Sequence, residues 1–123
     1  PRYGVAYNAE IYAGKVLSNR GSGSDRGILA GIEWALTNGC HIISMSLGAP
    51  TRPGDTFSEI YEQVGQRALG QGALIIAAAG NESRDPNTGQ RLSPPNPVGY
   101  PANCPSLMAV AALDSQLQVA SFS

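Results

Sequence analysis

The sequence predicts an α/β fold, a parallel sheet with right-handed βαβ crossovers and helices packed on it. Three observations predict it. Apolar runs of strand length alternate with stretches of helical period. One run, residues 73–79 (ALIIAAA), is apolar throughout, as expected of a strand covered on both faces. The 123 residues are 42% hydrophobic and 14% charged, enough for one core with little over for a second domain, so residues 1–123 are expected to form a single domain.

The elements follow in order. Residues 9–17 (AEIYAGKVL) are expected to form a first strand built on Ile11, Ala13, Val16 and Leu17, before a polar Gly-rich turn. Residues 25–38 read as a helix that Ser24 or Asp25 can cap. Ile28, Leu29, Ile32, Ala35 and Leu36 make its apolar face, and Gly39 suits the C′ position. Residues 40–47 (CHIISMSL) are a buried strand, too short and too closely flanked by glycine to be another helix. Thr56-Phe57-Ser58-Glu59 fits a capping box, with Thr56 capping the Glu59 amide and Glu59 reaching back. Phe57, Ile60, Tyr61, Val64 and Ala68 then recur at helical spacing until Gly70-Gln71-Gly72. After the 73–79 strand, residues 83–101 are polar and hold Pro86, Pro94, Pro95, Pro97 and Pro101, the mark of a long surface loop. Residues 107–113 and 118–121 complete the set as two short strands. No repeat and no interdomain linker interrupts the series.

Composition excludes several function classes. Eight basic and nine acidic residues give a net charge of −1, and no basic stripe suits nucleic acid or an anionic membrane surface. No apolar run approaches the roughly 18 residues that span a bilayer, and Pro1-Arg2-Tyr3-Gly4 is not expected to belong to a signal peptide. Cys40 and Cys104 allow one disulfide at most. They lack both a dense disulfide framework and the Cys-x-x-Cys spacing of a zinc site, so both are expected to be small buried residues.

In a parallel sheet, ligands sit at the carboxyl ends of the strands. Three unusual tracts fall there: residues 18–23, Ser46-Leu47-Gly48 and Gly80-Asn81. Gly21-Ser22-Gly23-Ser24-Asp25-Arg26-Gly27 resembles a dinucleotide fingerprint, but its third glycine is one place late and no acidic residue ends the next strand. His41, the only histidine, stands at the amino end of its strand and is read as structural. Ala77-Ala78-Ala79-Gly80-Asn81-Glu82 is more informative. Its small residues leave a slot beside the strand, and Asn81 brings a neutral amide donor to the mouth. A donor oriented before charge appears is what a developing oxyanion requires.

Several segments in one order then match together. They are Gly4-Val5-Ala6 with Ala13-Gly14-Lys15-Val16-Leu17; Gly31-Ile32-Glu33-Trp34-Ala35; Ile43-Ser44-Met45-Ser46-Leu47-Gly48; Ala78-Ala79-Gly80-Asn81-Glu82; Gly99-Tyr100-Pro101-Ala102; and Ala120-Ser121-Phe122-Ser123. Together they resemble the central part of the subtilisin-like serine endopeptidases, over nearly the whole chain. Residues 51–57 and 83–97 are the least typical.

The resemblance implies a parent protein that hydrolyses peptide bonds through an acyl-enzyme. Asn81 would be the side-chain donor of its oxyanion hole. Ser46, Leu47 and Gly48 would pair with an extended polypeptide substrate, which Gly21, Ser22 and Gly23 would flank on its other side. Ala78, Ala79, Gly80 and Gly99 would line the pocket for the side chain before the scissile bond. Glu82 would stand at its rim, tilting preference toward Lys or Arg, and the Tyr100-Pro101 bond would be cis. No cofactor is implied beyond a weak cation that some relatives hold at carbonyls equivalent to those of Ala102, Cys104 and Leu107. Export is implied because most members are exported.

The catalytic Asp, His and Ser motifs of that family are not found in these residues, and none of the twelve serines has a positioned base. The chain matches the stretch between the second and third triad members, so it is expected to be inactive alone. Lacking neighbouring strands, it is also expected to expose apolar sheet edge and to favour self-association. A second reading, a non-catalytic peptide-binding module on the same fold, stays open at this point.

Overall fold

The computed structural model describes residues 4–123, so the reading of Pro1, Arg2 and Tyr3 lies outside the described residues. The chain forms two compact units, the first ending at Cys40 and the second running His41–Ser123.

In the first unit the helix forms as expected. Helix α1 spans Asp25–Thr37, and the Ser24 hydroxyl accepts the Gly27 amide at 3.2 Å. Such a cap satisfies one of the orphan donors of the first turn. Ile28, Ile32 and Ala35 are buried on one stripe, and Gly39 takes the left-handed φ of +72° that ends the helix. The strand expected over residues 9–17 does not form. No ladder pairs with it among the described residues, and Ile11 is 85% exposed. Apolar spacing makes a segment suited to a sheet, but a strand exists only with a partner. Residues 9–17 lie instead along α1, with Val16 against Gly31 and the Tyr12 ring 6.3 Å from that of Trp34.

The second unit holds the sheet. Strand β1 (Ile42–Met45) pairs in parallel with β2 (Leu74–Ala78), which pairs in parallel with β3 (Met108–Val110), in the order β1-β2-β3. The register sets Ile43 beside Ile75 and Ala77 beside Ala109. Ile43, Met45, Ile75 and Ala77 are buried, whereas Leu74 and Ile76 are half-buried and Ala78 is exposed. The continuous run in β2 is thus fully covered on one face only. At the sheet edges, Ile42, Met108 and Val110 are about half exposed.

Helix α2 (Glu59–Gly70) packs on β2, but its details differ from expectation. Thr56 does not cap it: the N-cap is Ser58, which makes no side-chain cap, and the Thr56 carbonyl accepts the Tyr100 hydroxyl at 2.9 Å. The buried stripe is Tyr61, Glu62, Gly65 and Ala68, while Ile60 is 60% exposed. Glu62 explains the rotation. Its carboxylate accepts the Ser106 hydroxyl at 2.6 Å, the Ser106 amide at 2.9 Å and the Gln66 amide group at 2.9 Å. A carboxylate so satisfied can lie on the inner face.

The Ser106 hydroxyl, the Ser106 amide and Gln66, in that order, hold the Glu62 carboxyl below the ordinary glutamate value of 4.5, against the opposing effect of burial. A depressed carboxyl stabilises the fold above its unfolded value, and that contribution fades as pH falls through the folded value. Unfolding midpoints of wild type and Glu62→Gln, measured from pH 7 downward, should therefore differ most at neutral pH and converge on acidification below about 4.5. A gap independent of pH would contradict this role.

The strand expected over residues 118–121 is also absent. Leu113 and Val119 form a single antiparallel bridge around a turn in which Asp114 accepts two backbone amides and Leu117 sits at φ +61°. The Asp114 side chain closes the chain on itself too soon for a ladder to extend. Cys104 is buried and Cys40 half-buried, both free thiols. Burial, the largest influence, pushes the Cys104 thiol up. Residues 83–101 form no regular element beyond two isolated bridges, and both Ser93-Pro94 and Tyr100-Pro101 are cis, the second as expected.

Candidate active site

Because β1 and β2 run in parallel, Ser46-Leu47-Gly48 and Ala79-Gly80-Asn81-Glu82 leave the sheet at the same edge. One further segment joins them. The Gly99 amide donates to the Ala79 carbonyl at 2.8 Å, while Ala49 and Tyr100 exchange both backbone bonds, at 3.0 and 2.8 Å. Residues 99–100 thus lace the two strand ends together. Glycine is required for this approach: a Cβ on Gly99 would lie 2.7 Å from the Ala49 carbonyl oxygen, and one on Gly48 would strike that of Tyr100.

Asn81 is exposed directly after this lacing. Its backbone amide donates to Glu82 Oε2 at 2.8 Å, and its side-chain amide has no hydrogen-bond partner among the described residues. Gly80 turns the chain at φ +125°, which an L side chain rarely adopts. Glu82 is exposed, with its carboxylate folded back over Gly80 onto the Asn81 amide. Ser46 is exposed and Leu47 half-buried, so the backbone beyond β1 is open on at least part of its length.

Gly21, Ser22 and Gly23 belong to the first unit. There the Ser18 amide donates to the Ser22 carbonyl at 2.8 Å, and the Ser18 hydroxyl accepts the amides of Arg20 and Ser22 at 3.3 Å each. Gly21 supplies the left-handed φ of +78°, and Gly23 lets the backbone approach the Val16 carbonyl. His41 is exposed at the amino end of β1, where its carbonyl accepts the Leu74 amide at 2.8 Å. Of the three carbonyls singled out for a cation, that of Cys104 accepts the Leu107 amide at 3.1 Å. Among the described residues no group of His, Cys, Asp or Glu is placed to hold a metal.

Sequence reasoning missed the side chains that hold the edge. Thr51 is buried, and its hydroxyl donates to the Val98 carbonyl at 2.9 Å. Asn96 donates its side-chain amide to the Glu82 carbonyl at 2.6 Å and its backbone amide to the buried Ser83 hydroxyl at 3.2 Å. These bonds join positions 13 to 47 residues apart in loops, where no periodicity announces them.

Comparison with known proteins agrees with this arrangement. The family model described as the subtilase family matches residues 2–123. Subtilisin E of Bacillus subtilis (strain 168) is 44% identical over 120 residues, covering 98% of this chain and 28% of its own length. Subtilisin DY of Bacillus licheniformis is 42% identical over 98% of this chain and 39% of its own length. Among solved structures, Sphericase superposes with a TM-score of 0.73 at 36% identity, over 98% of this chain and 38% of its own. The chain therefore spans between about a quarter and two fifths of the length of the curated relatives it matches. With the α/β sheet, the laced strand ends and a match over nearly every residue, the chain belongs to the subtilase family.

Proposed function

We propose that these residues form the oxyanion-donor and substrate-edge portion of a serine endopeptidase that cleaves polypeptides through an acyl-enzyme. The observation that carries the reading is the exposed Asn81 side chain, free of internal hydrogen bonds among the described residues, beside the glycine-dependent lacing of Gly48 and Gly99. In this reading the Asn81 amide donates to the carbonyl oxygen as it gains charge, an interaction stronger in the transition state than in the ground state. The backbone of Ser46, Leu47 and Gly48 holds the extended substrate by β-addition. Ala78, Ala79, Gly80 and Gly99 line the side-chain pocket, with Glu82 at its rim.

The reaction uses protein groups alone: a serine nucleophile, a histidine base and an orienting aspartate, supplied outside these 123 residues. Membership of the subtilase family supports an exported enzyme acting on polypeptides. A donor and a binding edge do not replace a nucleophile. The 123 residues produced alone are therefore expected to release no product from a peptide substrate. Release that scales with chain concentration and disappears in Asn81→Ala would refute the division of labour.

A further inference from the structure

Residues 83–97, one of the two stretches expected to be least typical of the family, begin two positions after Asn81 and open with a short antiparallel turn of chain around a single bridge. The Asp85 amide donates to the Gln90 carbonyl at 2.9 Å, the Leu92 amide to the Ser83 carbonyl at 2.8 Å, and Gly89 closes the turn onto Asp85 at 2.8 Å. These bonds flank Arg84 and Arg91, which face each other as the intervening antiparallel pair. A pair flanked in this way is the closely spaced, non-hydrogen-bonded kind, with Cα atoms about 4.5 Å apart and side chains on one face of the ribbon. Two like charges directly opposite are unfavourable without an anion between them.

No Asp or Glu carboxylate in the described residues supplies one. Arg84 donates from Nε to the Gly89 carbonyl and Arg91 from Nη2 to the Ser123 main-chain oxygen at 3.3 Å; neither is in an ion pair with an Asp or Glu side chain. Asp85 falls on the opposite face by strand alternation, and its Oδ1 is committed to the amides of Asn87 and Thr88 at 2.7 and 3.2 Å. Glu82 is turned onto the Asn81 amide. Both arginines are exposed, and each guanidinium keeps donors in a fork that matches a carboxylate.

We propose that Arg84 and Arg91 together form a subsite for an acidic side chain of the polypeptide substrate. The inference rests on the endopeptidase reading and adds a specificity determinant to it. Position follows from chain reach: three residues span at most about 11 Å, so Arg84 lies within about three substrate residues of the carbonyl that Asn81 would polarise. The chain beyond the ribbon is also tied back to the strand end by the Asn96 amide on the Glu82 carbonyl. An exposed charge pair of this kind is worth roughly a two- to five-fold preference, weakened by salt.

The test uses the full-length protein and peptides that carry Glu or Gln at each of the three positions on either side of the scissile bond. Turnover is read for the cleavable peptides and binding for uncleavable versions of the same pairs. The wild type should favour Glu over Gln at one position by roughly two- to five-fold in low salt. The preference should vanish in the double variant Arg84→Gln with Arg91→Gln, while Gln peptides are handled as before. Arg84→Lys with Arg91→Lys keeps the charges but not the original hydrogen bonds, and should retain a preference. Equal handling of Glu and Gln at every position overturns the proposal, as does a preference untouched by the glutamine pair or lost equally in the lysine pair. If no peptide is cleaved but Glu peptides still bind through the arginines, the endopeptidase reading fails and the subsite stands.

Discussion

Asn81→Ala in the full-length protein should lower kcat by about 10²–10³ while changing KM little, a magnitude carried over from the corresponding donor of a subtilisin by family membership. The selective loss in kcat follows from when the interaction forms. A neutral amide gains little from a ground-state carbonyl already solvated by other groups, but much from an oxyanion in a site that excludes water. The role proposed for Asn81 is supported by the Gly80 turn at φ +125° and by the Asn81 backbone amide bonding to Glu82, which leaves the side chain uncommitted. Single-turnover and steady-state kinetics on one peptide would separate binding from chemistry. A rise in KM with kcat unchanged would instead make Asn81 a ground-state contact.

The second large effect is on stability. Gly99→Ala should destabilise the full-length protein by about 1–3 kcal/mol, the usual cost of forcing a methyl group where none fits. The added Cβ would lie 2.7 Å from the Ala49 carbonyl oxygen, and that oxygen is fixed by the amide of Tyr100. Backbone cannot rotate away as a flexible side chain can, so the lacing between the two strand ends must open. Gly70→Ala is the matched comparison. It ends α2 with nothing within 4 Å of the new Cβ, and alanine is the better helix former. Unfolding midpoints should fall for Gly99→Ala and stay level or rise for Gly70→Ala. Equal midpoints would mean that the lacing contributes nothing.

The three sheet strands and the two helices were legible because their signals are local. Apolar period, a glycine after the last turn and small residues at a strand end are all visible within a few positions, as at α1 and at Ala77-Ala78-Ala79-Gly80. What depends on distant partners was not. Residues 9–17 carry a strand pattern yet have no ladder, and Thr56 and Glu59 carry a capping box that the chain does not use. Glu62 is the sharpest case. As a charged residue it belongs outside by any pattern, and two of the three bonds that make the inner face habitable come from Ser106, 44 positions later. The candidate site divides in the same way. Asn81, Gly48 and Gly99 could be picked out because motif and glycine content mark them, whereas Thr51, Ser83 and Asn96 hold the edge through loop hydrogen bonds that leave no trace in spacing.

All of this turns on where one side-chain nitrogen points when a substrate carbonyl becomes tetrahedral. The most direct measurement is a crystal structure of the full-length protein covalently bound to a peptide that mimics the tetrahedral intermediate. The account predicts Asn81 Nδ2 at about 2.7–3.1 Å from the oxyanion, with the peptide backbone running beside Ser46-Leu47-Gly48. An oxyanion satisfied by other donors, with the Asn81 amide directed into solvent or onto its own loop, would contradict it.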